Sequence, residues 1–481
     1  MAMGYSTKLC KYVCLILFVF PSTVLAATYY LDAVNGNDDN AGGFPESAWR
    51  TISKVNSASL LPGDRLLFQR GQTFIGDLDA SGDGSFDAPI IVSSFGTGMP
   101  PVLSGVTIRG DYYIVENLTV DHKKGNSDAV RVRGGKNTIF RNMEIKNGTK
   151  DGIDAADADN LLIERCHIHH FLRGSYHHQA DAHGIVVTGT QGVTIRKTEI
   201  HHVSGDSFQA DPNREPGNLT SDILIEDSHF WTSPLVANFN DGWRTGQRPG
   251  ENAIDTKVST LGGEKVPRVT MTLRNIVAHG WEKDSYIPNK ATFNMKEKIT
   301  AIFDGITVYD SEIAFRLRGK RGNANTTIRN VVIYNVEKAI RAEGNLANLV
   351  IYNATFGDKI DTVLELAGGR DGGAVSWEWR NNAFGCGPAC LLFFESLSVF
   401  ADHSTNLIAP LSDFQNSEQG DYRLALKASL IDKGMSLDSV LTDRDGHPRA
   451  GIFDVGAYEQ GEVRPFDAPS NVEAPQYRKA K

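Results

Sequence analysis

The segment ENAIDTK at residues 251–257 places a carboxylate and an amine two positions apart, directly after the polar stretch FNDGWRTGQRPG. Alternate side chains of a β-strand face opposite sides, so Asp255 and Lys257 face outward if Ile254 and Thr256 face inward. An amine whose pKa is lowered by nearby cations can act as a general base, and a carboxylate can hold a metal ion. The segment therefore predicts acid–base chemistry on the outer face of a strand.

The strand that carries this pair belongs to a series of similar segments, such as KDGIDAAD, GDSFQADP and ATFNMKEK. Their shared apolar positions are Val130, Ile153, Ile185, Phe208, Ile254, Phe293, Phe315 and Ile340. The spacings between these positions are 23, 32, 23, 46, 39, 22 and 25 residues, which indicates a repeat of about 23 residues with insertions. Each repeat also contains a second short strand with alternating polarity. The series predicts an all-β chain in which each repeat forms one turn of a parallel β-helix.

Aligned residues of neighbouring turns should form outward columns, because the turns of such a helix lie about 4.8 Å apart. One predicted column contains Arg131, Asp154, Val186, Gln209, Asp255, Asn294, Arg316 and Arg341. The other contains Arg133, Ala156, Thr188, Asp211, Lys257, Lys296, Arg318 and Glu343. Together they form a strip, called here the charged strip, that runs from carboxylates into cations. We predict Lys257, Lys296 and Arg318 as catalytic residues and Arg316 as a ligand for a substrate carboxylate.

The second strand of each repeat predicts another outward column, made of Lys146, His169, His201, Trp231, His279, Tyr309 and Tyr334. Flat side chains beside a charged strip are suited to stacking on sugar rings. We therefore predict that the substrate-binding residues, besides Arg316, are His183, His201, Trp231, His279 and Tyr309. The longest insertions bracket the turns of Asp154, Asp211, Asp255 and Lys257, so loops should wall that part of the strip.

A histidine cluster and an N-terminal Asn/Asp segment are alternative candidates for metal binding. Nine of the thirteen histidines lie between His167 and His229, and imidazole is a common zinc ligand. Stacked repeats would place His169 beside His201 without any metal, however, and the adjacent Cys166 is assigned no chemistry. The segment DAVNGNDDN at residues 32–40 offers Asp32, Asn35, Asn37 and Asp38 as oxygen ligands for calcium, although such residues also make turns.

The chain begins with the pattern of a secretory signal peptide at residues 1–26, in which Lys8 and Lys11 precede the apolar run YVCLILFVF. Its removal takes 49 basic residues to 47 against 58 acidic ones, so the formal charge of −9 becomes −11. We expect a secreted or periplasmic protein that is not held in a membrane. A net negative charge argues against a nucleic-acid partner.

One domain is expected over residues 27–460, with clear turns at about 85–385 and an irregular part at 386–460. Residues 461–481 read as a loose tail. The segment AWRTISKVNSASLLPGD has apolar residues at roughly helical spacing and predicts a helix that caps the N-terminal end. Cys386 and Cys390 could close one small disulfide loop or remain reduced, and Cys166 reads as a core thiol. We expect a monomer.

Other segments carry a resemblance to a known family. YYLDAVNGNDDNAGG, LPGDRLLFQRGQTF and APIIVSSFGTGMPPVLSG resemble the entry to right-handed parallel β-helix polysaccharide lyases and their relatives. DRDGHPRAGIFDVGAYE is similar to the closing segment of many secreted β-helix proteins. The resemblance covers most of the chain after the signal segment and implies a right-handed parallel β-helix.

The nearest resemblance is to the family-nine pectate lyases. ENAIDTK is similar to their catalytic strand, with Lys257 in the lysine position, and KDGIDA resembles their calcium-binding strand, with Asp151 and Asp154 as ligands. Two repeats separate these strands here, so Asp206, Asp211 and Asp255 are alternative ligands closer to Lys257. The resemblance implies a calcium-assisted lyase that removes the proton next to a uronate carboxylate.

Other functions remain open from the sequence. A glycoside hydrolase similar to polygalacturonases would use two of Asp154, Asp211 and Asp255 as acid and base. A uronan epimerase shares the proton abstraction with a lyase. A polysaccharide-binding or assembly protein without catalysis would need the ring column but not Lys257. The polymer itself, whether pectate, alginate or another exopolysaccharide, is not specified.

Overall fold

The computed structural model describes residues 26–123, 125–211, 220–257, 268–283, 287–296, 298–319, 324–344, 346–367, 376–386 and 404–460. Over these residues the chain forms a parallel β-solenoid of about 11 turns with almost no helix. The predicted signal peptide, apart from Ala26, and the predicted tail lie outside the described residues, and so does Cys390.

Each turn contributes strands to three parallel stacks. The first, here the site stack, contains Thr73–Ala80, Val102–Ile108, Val130–Arg133, Ile153–Ala156, Ile185–Thr188, Phe208–Asp211, Asn252–Thr256, Ala291–Met295, Ser311–Arg318, Val336–Glu343 and Ile360–Ala367. The second contains Thr28–Leu31, Arg65–Gln69, Ile90–Phe95, Tyr113–Glu116, Ile139–Arg141, Leu161–Glu164, Gln191–Arg196, Asn325–Arg329, Asn348–Tyr352 and Ser376–Arg380. The third contains Thr119–Asp121, Glu144–Gly148, His167–Phe171, Glu199–Val203, Val332–Ile333, Thr355–Phe356, Ala383–Phe384 and Leu407–Ile408. Three long strands, Ser221–Trp231, Val269–His279 and Ile299–Tyr309, bend from the second stack into the third.

The bend between the second and third stacks is made by one left-handed residue in each turn. Asn117, Asn142, Asn275 and Asn353 have φ angles between 50° and 59°. Asparagine tolerates this conformation better than most residues. Gly305 has a φ of 70° at the position that pairs with Asn275, where the same corner must be turned. The recurring asparagine in the sequence therefore fixes the corner of the solenoid.

The predicted register of the charged strip is confirmed. Asp255 pairs with Gln209 on one side and with Asn294 on the other. Arg316 follows beside Asn294, and Arg341 lies beside Arg316. The apolar partners Phe208, Ile254 and Phe293 are fully buried in the core. Strict alternation along each strand thus places the charged residues in one outward line, as expected.

The longer connections lead from the third stack into the site stack. Residues 172–184 contain an antiparallel hairpin, Arg173–Ser175 with His178–Ala180, and residues 232–251 form a second insertion. Leu172 packs with Leu235, Phe239 and Trp243 in a separate apolar cluster. The two insertions therefore support each other at the edge of the site stack.

The two ends of the solenoid are irregular. Near the N-terminal end lie the 3-10 turn Pro45–Ser47 and the helix Ile52–Asn56, which has only five residues. Near the C-terminal end lie two more 3-10 turns, Leu411–Asp413 and Ser417–Gln419. That the short helix caps the end stays a prediction. The antiparallel pair Phe414–Asn416 and Asp421–Leu424 helps to form a second core that packs on Val332 and Ala383.

Cys386 is disulfide-bonded, and Cys166 is a buried free thiol. Within the described residues, no helix has the length and apolarity needed to span a bilayer.

Candidate functional site

Asp255 is the centre of the charged strip. It lies in the strand Asn252–Thr256, and its side chain is 0% exposed. One carboxylate oxygen, Oδ2, accepts a hydrogen bond from Lys296 Nζ at 2.6 Å and lies 2.9 Å from Lys257 Nζ. The two lysines come from neighbouring turns, where each directly follows its strand. A single buried carboxylate thus holds both candidate bases.

A second buried carboxylate, Asp206, lies beside the same amine. Lys257 Nζ is 3.8 Å from Asp206 Oδ2, and Asn252 donates a hydrogen bond to Asp206 Oδ1 at 2.7 Å. His183 joins this group, since its Nε2 lies 3.5 Å from Asp206 Oδ2 and its Nδ1 lies 2.8 Å from Asp151 Oδ1. The insertion at residues 172–184 therefore delivers His183 into the site from the side.

The pKa values of this group follow from burial and from its own charges. Burial, aided by the charges of Asp255 and Glu251, raises the pKa of Asp206 to about 8. Burial opposes the charged form of His183, yet its hydrogen bond with Asp151 and the charge of Asp206 raise its pKa to about 9. Both groups therefore bind a proton more tightly than they would in water.

The pKa of Lys257 differs from the expectation. Burial opposes the ammonium form, but the charges of Asp206 and Asp255 outweigh it and raise the pKa of Lys257 above its usual value. The prediction that neighbouring cations lower this pKa is therefore wrong. The nearest charges are the two carboxylates at 2.9 and 3.8 Å, and their effect exceeds that of the cations farther along the strip.

The arginines continue the strip beyond Lys296. Glu343 lies 2.8 Å from Arg316 Nε, 2.8 Å from Arg341 Nε and 3.3 Å from Arg318 Nε. One carboxylate thus holds three guanidinium groups, which leaves an excess of positive charge at this end. Arg316 and Arg318 remain partly exposed, so they can meet a ligand.

The predicted metal ligands differ in their distance from Lys257. Asp154 lies beside Val186, and two strands separate its strand from that of Asp255. Its carboxylate pairs with Arg133 at 2.6 Å. It therefore does not share a site with Lys257, whereas Asp151 reaches the site through His183. Asp211 ends the strand next to Lys257, because the preceding residue Ala210 pairs with Thr256. Of the predicted metal ligands, the fold brings Asp206 and Asp255 into direct contact with Lys257, the candidate base.

Four buried oxygen atoms at this site make no hydrogen bond within the described residues. They are Asp206 Oδ2, Gln209 Oε1, Asp255 Oδ1 and Asn294 Oδ1. Gln209, Asp255 and Asn294 are consecutive members of one column. Buried polar atoms without partners commonly mark a site for water or an ion, and hard cations such as calcium take oxygen ligands. Gln209 and Asn294 were not predicted as ligands, because neither amide resembles a catalytic residue in the sequence.

The carboxylates of the N-terminal segment at residues 32–40 are engaged in hydrogen bonds within the protein. Asp32 Oδ1 accepts hydrogen bonds from the backbone of Val34 and Asn35 and from Gln72. Asp38 accepts hydrogen bonds from the backbone of Arg50 and Thr51 and from the Thr51 hydroxyl. These carboxylates organise turns, so the alternative calcium site there is not supported.

The predicted ring column exists, but its rings stack on one another. The ring centroids are 4.2 Å apart for His201 and Trp231, 4.5 Å for His279 and Tyr309, and 5.1 Å for Tyr309 and Tyr334. Each pair is nearly parallel, with interplanar angles of 21°, 11° and 7°. The faces that were expected to stack on sugar are therefore largely covered by neighbouring rings, and sugar binding by this column stays a prediction.

Comparisons with known proteins agree with this architecture. Residues 104–232 match the family model described as a right handed beta helix region. A solved rhamnogalacturonan lyase is 15% identical with a TM-score of 0.51, over 89% of this chain and 96% of that one. The chain has the right-handed parallel β-helix fold. Pectate lyase Pel9A aligns over 91% of this chain and 98% of its own at 14% identity, with a TM-score of 0.49.

One curated relative matches part of the chain. Lacto-N-biosidase from Bifidobacterium longum subsp. longum is 26% identical over 208 residues, which make up 39% of this chain and only 13% of that protein. These matches show the fold and do not specify a reaction. The choice between reactions depends on the site itself.

Proposed function

We propose that this chain is a secreted or periplasmic lyase that cleaves an acidic, uronate-containing polysaccharide by β-elimination. The observation that carries the proposal is the position of Lys257. Its side chain is 30% exposed, and its amine lies 2.9 Å from Asp255 and 3.8 Å from Asp206, which are both fully buried. Lys296 and Arg318 follow it on the next two turns of the charged strip. A partly exposed amine can reach a substrate, whereas Asp206 and Asp255 beneath it cannot.

The row of cations suits an anionic sugar. The whole chain carries a formal charge of −9, which repels a polyanion unless local cations attract it. The two adjacent columns of the charged strip supply such an attraction through Lys257, Lys296, Arg316 and Arg318. Guanidinium groups match a carboxylate in a bidentate fashion, so Arg316 and Arg318 suit binding of uronate groups.

β-Elimination begins when a base takes the proton next to the uronate carboxylate. The electron pair left behind forms a doubly charged enolate, and the glycosidic oxygen leaves from the neighbouring carbon. Lys296 and Arg318 would stabilise that charge where it develops. Lys257 would take the proton, and it must first lose its own proton. Because Asp206 and Asp255 favour the ammonium form, the reaction should accelerate as the pH rises.

The donor atoms also suit calcium. The site contains four buried oxygen atoms that make no hydrogen bond within the described residues. They belong to Asp206, Gln209, Asp255 and Asn294, and these residues would hold the ion. Bound calcium would supply electrostatic stabilisation of the substrate carboxylate. In its presence the two aspartates would hold the ammonium form of Lys257 less strongly. The donor set supports calcium rather than zinc here, because it contains oxygen atoms and no thiolate.

A glycoside hydrolase is the second candidate, and the sequence match to lacto-N-biosidase favours it. The raised pKa of Asp206, about 8, is what a general acid would need. Asp206 and Asp255 are, however, both 0% exposed, so neither can reach a glycosidic bond in this arrangement. An epimerase would use the same proton abstraction as a lyase, and a binding protein would not need Lys257.

A screen of several uronans with the purified chain tests the proposal. A lyase creates an unsaturated product whose ultraviolet absorbance grows with time. Reducing ends without that absorbance would favour the hydrolase, and an inverted uronate without chain cleavage would favour the epimerase. Binding without any of these changes would favour a polysaccharide-binding protein.

A further inference from the structure

The outward face of the third stack carries two neighbouring columns of a different kind. In the first column Glu144, His167, Glu199 and His229 lie on consecutive turns, so carboxylate and imidazole alternate. In the second column His201 lies between His169 and Trp231. None of these residues belongs to the charged strip of the site stack.

Three side chains from the two columns meet at one point. His167 Nε2 lies 2.8 Å from His201 Nε2 and 3.9 Å from Glu199 Oε2. The ligand atoms of His167, Glu199 and His201 all lie within 4.8 Å of one another. Two imidazole nitrogens and one carboxylate oxygen form a ligand set that suits zinc-class ions.

Other contacts orient these ligand atoms. Trp231 donates a hydrogen bond to Glu199 Oε1 at 2.7 Å, which leaves Oε2 on the side of His167. His201 Nδ1 lies 2.5 Å from His202 Nδ1, and His202 Nε2 lies 3.0 Å from the Ser233 hydroxyl. Glu199 and His201 therefore each have an outer partner on the atom that faces away from the meeting point, as metal ligands commonly do.

We propose that His167, Glu199 and His201 bind a zinc-class divalent cation, with an open coordination position toward solvent. His201 is buried and fixed, whereas the His167 side chain is 40% exposed and can move. Bonds of about 2.0–2.1 Å to both nitrogens require them to separate slightly beyond 2.8 Å. A small rotation of the exposed His167 ring provides that separation.

A second set of side chains on the same face, Glu144 with His167 and His169, is less suited to an ion. Lys146 donates a hydrogen bond to Glu144 Oε2 at 2.8 Å, whereas the neutral indole of Trp231 is the donor to Glu199 Oε1. The ion therefore belongs to the Glu199 set.

Calorimetric titration of the full chain with zinc chloride, after treatment with a chelator and dialysis, tests this site. We expect one saturable site that calcium does not occupy. His167→Ala and Glu199→Gln should each weaken zinc binding at least about tenfold, because even outer partners of a metal site commonly contribute that much. His178→Ala is the matched control, since His178 is exposed on the hairpin and lies outside the cluster.

The result that would overturn the site is specific. If zinc gives no saturable heat, or binds the His167→Ala and control variants equally, then the short distance between His167 and His201 is only a hydrogen bond between stacked turns. Circular dichroism of each variant establishes that it is folded, so loss of binding is not confused with loss of structure. The readout does not involve polysaccharide cleavage, so it stands apart from the proposed lyase activity.

Discussion

Replacing Lys257 with alanine removes the amine that contacts both Asp206 and Asp255 and that we propose as the base. The fold should survive, because Lys296 still donates a hydrogen bond to Asp255 at 2.6 Å and His183 still lies 3.5 Å from Asp206. A positioned general base commonly contributes about 10²–10⁴-fold to rate. At about 1.36 kcal/mol for each tenfold change, the variant should lose about 2.7–5.4 kcal/mol of transition-state stabilisation. Most of the loss should appear in kcat, since Arg316 and Arg318 still bind substrate.

The assay is the initial rate of ultraviolet absorbance on the best uronan, with circular dichroism as the check on folding. Lys257→Arg should be nearly as inactive as Lys257→Ala, because a guanidinium group does not give up its proton at ordinary pH. Lys296→Ala is the control from the neighbouring turn, because its amine lies on the same oxygen of Asp255. If Lys257→Ala keeps near-normal turnover while Lys296→Ala is inactive, Lys296 is the base. If both variants stay active, the lysine mechanism is refuted.

Three further predictions concern the same site. Arg316→Lys or Arg318→Lys should raise KM or lower the rate without unfolding, because an ammonium group lacks the planar fork that matches a carboxylate; unchanged steady-state kinetics in both variants would exclude a binding role. Asp255→Asn removes a charge that raises the pKa of Lys257, so the rise of activity with pH should move toward lower pH; a pH–rate profile of unchanged position would contradict this coupling. A calcium-selective chelator should abolish activity and added calcium should restore it; full activity in metal-free buffer would remove calcium from the proposal.

The strand register was predictable because it depends only on local alternation. Ile254 and Phe293 must face the core, so Asp255 and Asn294 must be outward neighbours, and the structure confirms this. The corner residues were not assigned in advance, although Asn117 and Asn142 recur at the same position of successive turns. Repetition with period two therefore specifies which face a residue occupies.

The electrostatics of the site were not predictable from the columns alone. Asp206 lies outside both predicted columns, yet its carboxylate approaches Lys257 and helps to raise the pKa of that amine. His183 comes from an insertion, whose path the repeat pattern does not specify. The stacking of Trp231 on His201 likewise depends on side-chain rotation within a column. The charges and ring contacts of the site depend on contacts between columns. A single sequence mainly predicts which face of its own strand each residue occupies.

The most direct test of the central claim is the mass of the fragments released from a defined uronan oligosaccharide. β-Elimination leaves an unsaturated fragment that is lighter by one water than the corresponding hydrolysis product. The account predicts this unsaturated fragment, together with its ultraviolet absorbance and its absence with Lys257→Ala. Saturated fragments that have gained water, formed by the wild type and still formed by the Lys257→Ala variant, would contradict the account.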